Sequence, residues 1–371
     1  MPNAQKSQGA SGSLLHRCRG AVQTLSARLF PSESLGSVAL RDYRILGALV
    51  GLVGVVALLA VPALPWWMTP LGGLVGGIYY MVFSRRERHR VKLLSQPFPA
   101  HFRTTLFERV PLYAQLTDEE RHRFEGEIAV FLGEHRIYAL GGLDGDDTAL
   151  VRLTDEHRVL IAASAAILLL GRPDWRLPTE RDIVVYPTSF EEETYSMEGH
   201  AHTLGMVHAQ GPILFALDAL ERSFPRRLGL LLPGLLTSSP TWPSSHVGLH
   251  EFAHVLDFLG QQGRSTGVPV SLPVDIQHEW HRQLSVERER LLSGNSVLNP
   301  YGLKNEAELF AVSVESFFQD AERLSRYHPD LYRLLADFFN QDPALRMQSH
   351  AIQTVGFLPW FSLGMPTRYT A

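Results

Sequence analysis

A single cysteine, Cys18, stands among 371 residues. One thiol rules out an internal disulfide framework and any cysteine-built zinc finger. It fits a reducing compartment. There is no basic surplus either: 34 lysines and arginines face 38 acids, a net charge of −4. Dedicated nucleic-acid binders carry the opposite imbalance, so no direct nucleic-acid partner is expected. Only 19% of residues are charged, yet 45% are hydrophobic, which excludes a disordered chain. No secretory signal is expected, because the first apolar run starts too late.

The largest absence is of charge between Ile45 and Ser84. Ile45–Leu64 holds 20 residues, and at 1.5 Å each these cover about 30 Å, one hydrocarbon core. Pro62, Pro65 and Pro70 interrupt the run around Trp66 and Trp67, and a second apolar stretch reaches Phe83. Arginines flank both outer ends (Arg41 and Arg44; Arg85, Arg86, Arg88 and Arg90), and the connecting turn has none. The positive-inside rule then predicts a two-span transmembrane hairpin, 45–64 and about 66–83, within residues 41–90. Residues 1–40 read as a flexible cytoplasmic leader. The expected location is the inner membrane, multi-pass, with the bilayer as partner of 45–83 and the rest of the chain facing the cytoplasm.

Residues 95–345 read as one mostly helical α+β domain, followed by a tail at 346–371. Thr117 and Glu120 form a capping box that opens a helix. Thr154 can cap another, ending at Gly171, whose apolar 159–170 core is too short for a span and reads as buried. Ile183–Tyr186 and Pro212–Leu217 look like strands. Segments 188–211 and 232–246 read as loops by their Gly, Pro, Ser and His content.

The chemistry concentrates at His250-Glu251-Phe252-Ala253-His254. On a helix, two imidazoles four residues apart lie about 40° apart, so both can reach one zinc ion. Glu251 projects beside them and can take the proton of an attacking water. Asp257 returns to the face of His250 and can hold a ligand imidazole by its second ring nitrogen. A catalytic zinc needs a third protein ligand. The best source is Asn299–Phe318, an amphipathic segment carrying Glu306, Glu308 and Glu315. Glu308 and Glu315 share a face and Glu306 points away; periodicity does not choose between the first two.

The blocks LHEFAHVLDFLG (249–260) and NPYGLKNEAELFAVSVESFF (299–318) resemble the Mlc titration factor A family of zinc peptidases, and also the catalytic domain of anthrax lethal factor. PFPAHF (97–102), RVLIAASAAILLLG (158–171), IVVYP (183–187) and LYRLLADFFNQDP (331–343) extend the likeness over about 95–345. The resemblance implies a zincin-like fold and one zinc per chain, held by His250, His254 and Glu308. It also implies Glu251 as general base and Tyr301 as oxyanion donor, acting on a peptide or protein substrate with aminopeptidase-like cleavage. An alternative it suggests is a regulatory module that sequesters a transcriptional repressor, its zinc structural or vestigial. The chain departs from the family pattern at His101, at Leu217, and before the histidine helix, where His246 stands near the position of an expected asparagine.

Overall fold

The computed structural model describes residues 37–59, 70–140, 152–173, 175–178, 181–190, 203–207, 211–226, 245–258, 267 and 274–348. The expected leader as far as residue 36, most of the 232–246 loop and the tail beyond 348 lie outside these residues.

The charge-free run forms α1 (Ser37–Leu59) and α2 (Pro70–Phe83). They pair closely through glycine: a Cβ on Gly76 would sit 2.4 Å from the Gly47 carbonyl oxygen. The pairing was expected; the membrane crossing is not supported. Among the described residues no helix is long and apolar enough to cross a membrane. The physical reason is length. The uncharged part of α1, from residue 45 on, covers about 22 Å and α2 about 21 Å, both short of a hydrocarbon core of about 30 Å. The span expected at 45–64 reaches beyond Leu59, and residues 60–64 lie outside the described ones. This overturns the multi-pass inner-membrane placement, and with it the bilayer as partner of 45–83.

The remaining chain is mostly helical around a small mixed sheet, as the α+β reading requires. α3 (Arg85–Leu94) leads to α4 (Ala100–Arg109) and α5 (Asp118–Glu134). The capping box at Thr117 is present, with Glu120 answering the Thr117 backbone N–H at 2.9 Å. Such a cap contributes on the order of 1 kcal/mol. α6 (Asp155–Leu169) is buried on every side from Val159 onward, so it becomes the central helix of the core.

The sheet runs β1 (Ile137–Ala139), β2 (Ile183–Tyr186), β4 (Ile213–Ala216), β3 (Gly205–Val207) in spatial order. The first three are parallel and β3 is antiparallel to β4. One expectation changes here. The 188–211 segment, read as loop, contains β3. And β4, expected as a strand, is an interior one; the edge strand beside it is β3. A strand of three residues inside a polar stretch shows no alternating pattern to read.

After β4 the chain turns into α7 (Leu217–Ser223), α8 (Val247–Phe258) and α9 (Val274–Leu292). The amphipathic segment 299–318, read as helical after its Asn-Pro opening, divides into a 3-10 turn, Pro300–Leu303, and α10 (Glu306–Gln319). Asn305 makes the break by capping α10: its side chain accepts the Glu308 N–H at 2.8 Å. Helices α11 (Ala321–Tyr327) and α12 (Pro329–Phe339) close the core. α8 packs between α6 and α10, which brings the two sequence blocks face to face.

Candidate metal centre

His246 precedes α8 and caps it. Its Nδ1 accepts the Leu249 N–H at 3.1 Å. Burial lowers its pKa to about 3, so the ring is neutral and free to accept. The ring also packs edge-on against Phe224 at 4.4 Å. Phe224 is fastened in turn by the buried Arg109, which donates to its carbonyl and pairs with Glu156 and Glu221. The sequence offered a departure at this position; the structure gives it a structural task.

One turn into α8, His250 and His254 bring their Nε2 atoms to 3.2 Å of each other. Glu308, in the first turn of α10, places Oε2 2.9 Å from His250 Nε2 and 3.3 Å from His254 Nε2. These three atoms converge on one point, and the three residues form a possible metal-holding group. Zinc bonds of about 2.0–2.1 Å in a tetrahedron require ligand atoms about 3.3–3.4 Å apart. The observed separations are close to that edge length. Glu306 is exposed on the outer face of α10, as the periodicity predicts.

Electrostatics asks for the same occupant. Burial opposes charging of His250, yet Glu308 and Glu315 hold its pKa well above the ordinary value. Burial likewise opposes the Glu308 charge, but the two imidazoles hold that carboxyl well below the usual carboxylate range. Three lone-pair donors facing one another need positive charge between them, and a divalent cation supplies it.

Glu315 is the residue that sequence reasoning left without a role. It is buried two turns along α10 and accepts from His250 Nδ1 at 2.7 Å and from the His246 backbone N–H at 2.6 Å. A proton committed to Nδ1 leaves Nε2 as a lone pair, the form a metal needs. Asp257, singled out for that task, makes a different described contact: it accepts the Gly267 N–H at 2.9 Å. Gly267 has a φ of +71° and a Cβ there would meet the Glu306 carbonyl oxygen, so Asp257 holds a position that only glycine fits against α10. The sequence clue to Glu315 was the shared face with Glu308; periodicity did not separate the two, and only the family resemblance pointed to Glu308 as ligand.

Glu251 is 3% exposed, and burial pushes its carboxyl up to about 7, against the pull of His250 and His254. Among the described residues its Oε2 has no hydrogen-bond partner. The wall beside it is the edge strand: a Cβ on Gly205 would come within 2.4 Å of Glu251 Oε1. Gly205 could not be singled out from sequence, since β3 itself was not seen. Tyr301 is half exposed, its ring centroid 6.0 Å from that of His250. The loop before it is held by the buried pair His328 and Glu287, with His328 Nε2 accepting the Val297 N–H at 3.1 Å.

A family model described as glucose-regulated metallo-peptidase M90 matches residues 83–340. That is well over half of the chain, and the chain belongs to this family. It is 32% identical to Mlc titration factor A of Pectobacterium atrosepticum over 256 residues, 65% of this chain and 86% of that protein. It is 26% identical to Mlc titration factor A of Klebsiella pneumoniae over 260 residues, 67% of this chain and 89% of that protein. An uncharacterized Synechocystis protein is 29% identical over 260 residues, 68% of this chain and 88% of that protein. The family match and these relatives agree with the resemblance drawn from the two sequence blocks.

Proposed function

We propose that residues 95–345 form a zinc-dependent peptidase. The observation that carries this reading is the convergence of His250 Nε2, His254 Nε2 and Glu308 Oε2 at tetrahedral spacing, with Glu315 fixing the tautomer of His250. Bound there, zinc would supply Lewis acidity to a scissile carbonyl and acidify a water beside it.

The chain's own residues would do the rest. Glu251 takes the proton of the attacking water and later passes it to the leaving amine. A carboxyl poised near neutrality suits both halves of that transfer, and burial gives it that value. Tyr301 donates to the developing oxyanion, an interaction that strengthens in the transition state. An extended substrate would lie along the outer edge of β3, pairing with it as an added strand, its carbonyl beside Glu251. Gly205 keeps that edge close enough for the approach.

A second reading comes from the relatives' name, Mlc titration factor A, which links them to the Mlc repressor. For this chain it would mean a repressor-binding role, with zinc structural or vestigial. The placement of Glu251 favours catalysis, since a scaffold has no use for a buried carboxyl whose Oε2 has no partner among the described residues. The test is a Glu251→Gln variant measured for zinc content and for cleavage of a quenched-fluorescent peptide pool. The variant should keep its zinc and lose turnover by about 10²–10⁴-fold. Undiminished turnover would sink the mechanism; a parent that binds zinc and cleaves nothing would favour the second reading.

A further inference from the structure

One charged side chain at the site has no part in the scheme above. Lys304 ends the 3-10 turn, its backbone N–H donating to the Tyr301 carbonyl at 3.1 Å. Its Nζ stands 3.2 Å from Tyr301 Oη and 3.5 Å from Glu308 Oε1. Tyr301, Lys304 and Glu308 follow at steps of three and four residues, one above another across the junction of the turn and α10. We propose that Lys304 is a positioning residue that acts through Tyr301, aiming its hydroxyl proton at the reacting carbonyl. The proposal rests on the peptidase reading.

Three observations carry it. First, the contact is with the hydroxyl and not the ring. Nζ is 3.2 Å from Oη but 5.4 Å from the ring centroid, so it sits beyond the oxygen and off the aromatic face. Second, the direction of the hydrogen bond is forced. An ammonium has three N–H donors and no acceptor, so the tyrosine oxygen must accept. Its own proton is then free to be donated elsewhere. Among the described residues Lys304 is the partner given to Oη, and the imidazole of His250 lies on the neighbouring side. Third, Glu308 divides its oxygens: Oε2 faces the two imidazoles and Oε1 faces Lys304. The ammonium thus ties the third candidate ligand to the oxyanion donor.

A hydroxyl that accepts a charge-assisted bond becomes a stronger donor, because the two bonds polarise each other. The positive charge also lies close to where negative charge develops. The bland alternative is a part-exposed Lys–Glu pair at i, i+4, which affects stability slightly and chemistry not at all.

The experiment uses the zinc-loaded full chain as parent, Lys304→Met, Lys304→Arg, Tyr301→Phe and the Tyr301→Phe/Lys304→Met double variant. Turnover is read on the quenched-fluorescent peptide pool. Affinity is read with a phosphinic peptide, whose tetrahedral anion stands in for the transition state. Lys304→Met should lower kcat by about 10-fold with KM unchanged, and by no more than the loss of about 10²–10³-fold from Tyr301→Phe. Lys304→Arg, which keeps charge and donors, should recover most of it. In the Tyr301→Phe background the methionine should change nothing further. Zinc content and melting temperature should be equal throughout. Parent-like turnover in Lys304→Met, an additive loss in the double variant, or loss of zinc from Lys304→Met would each overturn the role while leaving the peptidase reading intact. A parent that cleaves no peptide would instead remove the peptidase reading. The phosphinic peptide then decides on Lys304: weaker binding by Lys304→Met supports it, and equal affinity in parent and variant overturns it.

Discussion

Replacing Glu315 by glutamine should weaken zinc binding although the residue touches no metal. The carboxylate accepts two N–H groups, from the His246 backbone at 2.6 Å and from His250 Nδ1 at 2.7 Å. A glutamine of the same shape has one oxygen and one NH₂. The backbone N–H of His246 can only donate, so the amide oxygen must serve it. The NH₂ then faces His250 Nδ1, which has to become the acceptor. A neutral imidazole that accepts at Nδ1 carries its proton on Nε2, the atom that points at His254 and Glu308. The ligand lone pair is lost, or two donors are left facing each other.

Outer-shell partners of this kind are typically worth 10–100-fold in metal affinity. That is about 1.4–2.7 kcal/mol, and the lower end applies if the ring relaxes. Stability without metal should change much less, because Gln keeps the volume and one of the two bonds. Glu315→Ala differs: it strands the buried His246 N–H and should cost a further ~1–3 kcal/mol of stability. The assay is zinc competition against a chromogenic chelator, paired with thermal melts of the metal-free forms. Parent-like zinc affinity in Glu315→Gln would refute the tautomer argument. Equal losses in the glutamine and alanine variants, together with equal melts, would do so too.

Glu308→Ala should release zinc, whereas Glu306→Ala, on the exposed face of α10, should retain it in the same chelator competition; equal retention would remove Glu308 from the ligand set. Gly205→Ala should keep zinc and lose turnover by roughly 10²-fold, because the new Cβ displaces the Glu251 carboxyl that it would meet at 2.4 Å; undiminished cleavage of the peptide pool would show that Glu251 has other room. Far from the site, burial lifts the Glu127 pKa to about 7, against the pull of Arg176 and Arg90. The folded state therefore holds that proton more tightly than the unfolded one, and stability falls as pH rises from about 4.5 to 7. Glu127→Gln should remove this slope and raise stability at pH 8 by on the order of 2–3 kcal/mol relative to pH 4, read from denaturant melts; an unchanged pH slope would refute the assignment.

Local signals reported the helices well. The capping boxes at Thr117 and Thr154 and the all-apolar run of α6 are written in adjacent residues, so they survive without tertiary information. β3 is different in kind. Three residues pairing with a strand met later in the chain leave no period to detect, and their place at the sheet edge depends on which strand β2 chooses as neighbour. The charge-free run gave a misleading length because each described helix within it is shorter than the run. α1 and α2 are separate elements, and neither is long enough for the crossing that the run as a whole suggested.

The site was legible to the extent that one helix could define it. Four-residue spacing put His250 and His254 on one face, and seven-residue spacing put Glu308 and Glu315 on another. Which acid approaches the histidines depends on how α10 meets α8, and that angle is set by residues with no chemistry of their own. Asn305 starts α10 by taking the Glu308 N–H, so Glu308 falls in the first turn. Glu315, two turns deeper, reaches the His246 end of α8 instead. The division of labour between two like carboxylates is therefore a consequence of a helix cap. Moving that cap by one residue would rotate both acids by about 100° and dissolve the site, with every functional residue still present.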